Sequence, residues 1–120
     1  MSNARDISDS GHQLVAWINF NGAQVTNPAS TTGMRQSFGV SSVLDGGVGE
    51  YDVYFENAMP DLNYCVVAGQ NSTTYTTGQR THQYYSESHN DYTTTFFRIN
   101  CKTELGVVAD TQTVNVAVFR

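Results

Sequence analysis

The sequence predicts an all-β protein, an antiparallel β-sandwich, and three observations carry that prediction. Apolar and polar residues alternate with a period of two over short runs, not with the helical period of about 3.6. Gly, Asn and Asp separate the runs at regular spacing, as turns between strands require. Only 14% of the residues are charged, while seven Tyr and six Phe join many Thr and Val. Such side chains pack well on a pleated surface.

Residues 14–20 form the first strand, with Val15, Trp17 and Asn19 on one face and Leu14, Ala16, Ile18 and Phe20 on the other. Asn21-Gly22 signals a turn, because both residues tolerate positive φ. Residues 25–34 read as a loop with at most a short edge strand. Residues 35–44 alternate again, Phe38, Val40 and Ser42 lying opposite Gly39, Ser41 and Val43. Three glycines within residues 45–49 suit a bulged hairpin loop. Residues 50–56 return with Tyr51, Val53 and Phe55 on the buried side and Asp52, Tyr54 and Glu56 outside. Met59-Pro60-Asp61 is the next turn. The nearly continuous apolar character of residues 62–69 predicts a central strand. Residues 92–102 and 112–119 complete the set, the last with Val114, Val116 and Val118 alternating against Asn115, Ala117 and Phe119. Residues 1–13 are polar and read as an arm or linker, leaving 14–120 as one domain.

A net charge of −5, with the six basic residues scattered, speaks against a nucleic-acid partner and against an anionic membrane surface. Residues 1–11 contain no secretory signal pattern, and no apolar run approaches membrane-spanning length. Cys65 and Cys101 both fall inside strands, which favours buried thiols over a disulfide.

Trp17-Ile18-Asn19-Phe20-Asn21-Gly22 and Ser37-Phe38-Gly39-Val40-Ser41-Ser42-Val43 resemble the opening of a bacteriophage tail-fibre C-terminal module. The likeness continues through Asp45-Gly46-Gly47-Val48-Gly49-Glu50-Tyr51-Asp52-Val53-Tyr54-Phe55, then Ala58-Met59-Pro60-Asp61 with Tyr64, and the closing Val114-Asn115-Val116-Ala117-Val118-Phe119. It runs in order over residues 17–119. The resemblance implies a homotrimer at the far end of a fibre, made in the bacterial cytoplasm, assembled into the virion and contacting the host surface. Only residues 1–16 precede the match, so the chain reads either as a piece of a fibre or as a small separate virion protein. The second option includes a capsid decoration protein whose arm clamps its neighbours.

No nucleophile elbow or metal-ligand spacing is present, so neither an enzyme nor a cofactor is expected. Two acids on one strand, such as Glu50 and Asp52, are more simply a polar face than a glycosidase pair. His82, Glu87, His89 and Asp91 do not match a known metal pattern. The candidate binding residues are Tyr75, Arg80, His82, Tyr84, Tyr85, His89 and Tyr92. Their amphipathic rings and hydrogen-bonding neighbours suit a host glycan or protein, while two or three of the tyrosines are expected to be structural. Trp17, the lone tryptophan, is expected to anchor the core or a subunit interface.

Overall fold

The structure, a computed structural model, describes residues 13–71, 80–83, 91–103 and 105–120. Among these there are eight strands and no helix: β1 (Leu14–Phe20), β2 (Met34–Phe38), β3 (Val40–Gly47), β4 (Glu50–Phe55), β5 (Cys65–Asn71), β6 (Arg80–Gln83), β7 (Phe96–Lys102) and β8 (Thr113–Phe119). Sheet A has the order β2-β1-β8-β5 and sheet B the order β3-β4-β7-β6. All neighbours within each sheet are antiparallel. The fold is therefore all-β with two antiparallel sheets, consistent with the expected sandwich.

The core follows the strand alternation. Ala16, Ile18 and Phe20 of β1, Val114, Val116 and Val118 of β8, Tyr51, Val53 and Phe55 of β4, and Phe97, Ile99 and Cys101 of β7 form one buried cluster. Each fully buried Val, Ile or Phe contributes on the order of 1.5–3 kcal/mol. The rings meet edge-on where the sheets face each other: Phe20 on Tyr51 at 5.3 Å and Phe55 on Tyr64 at 5.2 Å.

Four expectations are corrected. Residues 35–44 are not one strand but two, β2 in sheet A and β3 in sheet B. The chain crosses at Gly39, whose φ is 71° and whose Cβ position lies only 2.6 Å from the Val15 carbonyl oxygen, so only glycine fits. Residues 62–69 do not make a central strand: β5 lies at the edge of sheet A, and the central places go to β1 and β8. Cys65, the first residue of that edge strand, is consequently exposed, whereas Cys101 is fully buried. Finally, the register shift between Leu14 and Ala16 turns Leu14 outward, at 41% exposure, and packs Val15 against the core.

The bulged hairpin expected over residues 45–49 forms, but with a shorter loop: β3 runs on to Gly47, which pairs with Glu50, and only Val48 and Gly49 connect the strands. β3 and β4 shift register between Asp45 and Gly47, and Gly47 and Gly49 take positive φ.

Candidate binding face

The outward face of sheet A is built from the residues left over by core alternation. On β1 these are Trp17 and Asn19, and on β8 they are Asn115 and Ala117. Pairing aligns them with β2 and β5 into rungs that cross the whole sheet. One rung reads Phe38–Trp17–Ala117–Val67 and the next Gln36–Asn19–Asn115–Gly69. A third, Leu14–Phe119–Cys65, runs beside the first.

The rungs differ in chemistry. Phe38 and Val67 are 55% and 59% exposed, with the half-buried Trp17 between them. The neighbouring rung is made of amides around a glycine. Arg35 fixes the amides: its Nη1 donates to Asn19 Oδ1 at 3.1 Å and Thr113 Oγ1 at 3.2 Å, and its Nη2 donates to the Gln112 carbonyl at 2.6 Å. Asn19 Nδ2 in turn donates to Asn115 Oδ1. The chain of donors leaves Asn115 Nδ2 as an unengaged donor among the described residues. Beside it, a Cβ on Gly69 would meet nothing within 4 Å. The result is an open depression of about 560 Å³ lined by Trp17, Asn19, Val67, Gly69, Asn115 and Ala117.

Acidic residues are absent from the strands of this face, and Arg35 is their one charged side chain. In a chain of net charge −5 the carboxylates therefore lie elsewhere. Sheet B holds several of them. Asp52 is 2% exposed and binds Arg98 through both oxygens, with Nε to Oδ1 at 2.6 Å and Nη2 to Oδ2 at 2.9 Å. Asp91 and Glu50 reach the same guanidinium at 3.4 and 4.0 Å. Desolvation opposes the Arg98 charge, but hydrogen bonding to Asp52 outweighs it and holds the guanidinium protonation above its ordinary range. Asp52 is thus a buried ion-pair partner rather than part of the solvated polar face that strand alternation suggests.

The residues singled out in the sequence fare differently. Arg80 and His82 lie on β6, in register with Lys102 and Asn100 of β7. Tyr75, Tyr84, Tyr85 and His89 lie outside the described residues. β6 separates 72–79 from 84–90. Asn71 and Arg80, which flank the first of these segments, pair with Thr113 and Lys102, whereas Gln83, before the second, pairs with Ile99. Tyr92 is half-buried; its ring stacks on Tyr64 at 4.4 Å, and its hydroxyl reaches the carbonyls of Leu62, at 3.3 Å, and Tyr64. It is one of the structural tyrosines.

Trp17 does not enter the core, so of its two expected roles only a surface one is left. Sequence reasoning missed Arg35, Asn19, Asn115 and Gly69 as a group. Outward parity on β1 and β8 was a readable signal, but their alignment needed the strand order. Among the described residues no three His, Cys, Asp or Glu side chains are placed to hold a metal ion. Comparison with protein-family models, curated proteins and solved structures finds no match to this chain.

Proposed function

We propose that this chain is an attachment module of a bacteriophage virion. It is a tail-fibre or tail-tip domain that assembles as a homotrimer and binds the bacterial host surface without catalysing a reaction. The observation that carries the reading is the outer face of sheet A, whose strands carry no acidic residue and where Trp17 and Phe38 stand beside amides held in place by Arg35. Aromatic rings bury area at low entropic cost and amides supply directional hydrogen bonds, a combination suited to recognition. Edge strand β5, which carries Val67 and Gly69, leads into residues 72–90, where the sequence concentrates its tyrosines and histidines. The ordered resemblance of residues 17–119 to tail-fibre modules supports the virion setting. Three copies per trimer and several trimers per particle would multiply a weak site into firm adhesion. Residues 1–13 would join the module to other virion proteins.

Immunolabelling of virions with an antibody to this chain tests the proposal. Label at the tail tip is the expected result, together with competition of phage adsorption by the purified protein. Label spread over the head would overturn it and make the chain a capsid decoration protein.

A further inference from the structure

The depression on sheet A is more specific than an adhesive face, and we infer that it binds one neutral pyranose unit of a saccharide. A pyranose has a face of C–H bonds and a rim of hydroxyls. Trp17 offers a ring for the C–H face. Asn19 lies two residues further along the same strand face, a rise of roughly 6.6 Å, with Asn115 beside it on β8. The rim hydroxyls of a sugar stacked on Trp17 therefore fall over the amide rung. That rung is preorganised, because the Arg35–Asn19–Asn115 chain of donors orients the exposed Asn115 amide, whose Nδ2 has no partner among the described residues. Gly69 keeps the space above the rung open, where any larger residue would fill it.

The scarcity of charge on this face favours a neutral ligand. The face has no carboxylate to attract an amine. Its one guanidinium spends three of its five N–H donors on Asn19, Thr113 and the Gln112 carbonyl, so most of its hydrogen-bonding capacity is taken up within the protein. A second copy of this chain would also cover the apolar rung, but the oriented, unmatched amide donor and the opening over Gly69 favour a small hydroxyl-bearing ligand. The inference deepens the attachment reading. It rests on that reading for the source of the saccharide, not for the site.

Trp17 is the only tryptophan, so its fluorescence reports on this site alone. The full chain is titrated to millimolar concentration with neutral mono- and trisaccharides of glucose, galactose, mannose, rhamnose and N-acetylglucosamine. The expected result is a saturable change in Trp17 emission with at least one of them, with a Kd on the order of 1 mM. Asn115→Ala weakens it roughly tenfold, as loss of one net hydrogen bond does. Gly69→Val abolishes it, and this variant retains the fold because its added atoms project into open space. Three results would each overturn the inference. One is unchanged emission across the whole panel. Another is calorimetric binding undiminished in Gly69→Val. The third is a Trp17 emission that iodide fails to quench in the assembled chain but quenches in the dissociated one, which would place Trp17 between copies. Adhesion of the labelled chain to bacterial cells, measured separately, keeps the two ideas apart: adhesion without sugar binding removes the pyranose site and leaves attachment standing.

Discussion

The hydroxyl of Tyr51 occupies the space that a side chain on Gly22 would need. A Cβ at residue 22 would overlap the phenol and come within 2.8 Å of the Thr111 carbonyl oxygen. The same hydroxyl donates to Asp110 Oδ1 at 3.2 Å and accepts from the Thr111 amide at 3.4 Å. Three distant segments therefore lock at one point: the turn after β1, strand β4 and the approach to β8. Residue 22 is glycine for this close approach and not for positive φ, which it does not adopt.

Gly22→Ala should destabilise the domain by about 1–3 kcal/mol, the usual cost of overpacking. Gly69→Ala, at an open position, should stay within about 0.5 kcal/mol of the parent. Urea-unfolding midpoints at equal slope would separate the two. Equal midpoints would mean that Tyr51 moves aside at no cost.

Arg98→Ala should cost about 3–5 kcal/mol, because it leaves the nearly buried Asp52 and Asp91 without their cation. Asp91 Oδ2 already lacks a hydrogen-bond partner among the described residues. Arg98→Lys should recover only part of the loss, since an ammonium cannot reproduce the two-pronged contact with Asp52. Chemical denaturation of the three proteins at neutral pH checks the order.

Alkaline pH should weaken the fold. Burial pushes the Tyr51 phenol well above the ordinary tyrosine range, and the Asp110 charge adds to the effect. Burial does the same to Tyr64, with a smaller part from Tyr92. Both groups hold their protons more tightly when folded, so their stabilising contribution is complete below the unfolded value of about 10 and declines as pH rises past it. Melting temperatures measured across that value should fall, and Tyr51→Phe should make the fall shallower.

The two thiols should differ in reactivity. Cys65 is exposed and Cys101 is fully buried. A chromogenic disulfide reagent should therefore modify one thiol of the native protein at once, and the second only when denaturant is added. Cys65→Ser should abolish the fast phase alone.

Trp17→Ala and Asn115→Ala should reduce adhesion to host cells while changing stability little, because both residues face away from the core. Tyr84→Ala with Tyr85→Ala tests the other stretch that the sequence singles out, and it too should lower adsorption, with the proposed trimer intact. Normal adhesion by a folded Trp17→Ala protein would remove sheet A from the attachment surface.

Most of the core was legible from alternation alone. Val114, Val116 and Val118, like Tyr51, Val53 and Phe55, could be assigned to one face because a strand turns alternate residues to opposite faces. The break at Gly39 and the bulge at Val15 were hidden, since the first is seen only where Gly39 meets the backbone of β1 and the second only in the pairing of β1 with β8, partners distant in sequence. Asp52 has the sequence position of a solvated residue, and only its contact with Arg98 on the neighbouring strand makes it a buried one.

By itself the sequence determined an all-β chain, the positions of its main turns and which residues of β4 and β8 share a face, because these follow from local periodicity and turn chemistry. The tertiary structure decided which strands lie side by side. Strand order is a long-range property, and it places β2 and β5 at the edges of sheet A around β1 and β8. That choice alone aligns Trp17 with Phe38, Ala117 and Val67, and Asn19 with Asn115 and Gly69. It turns residues with no shared motif into one face of aromatic, aliphatic and amide side chains.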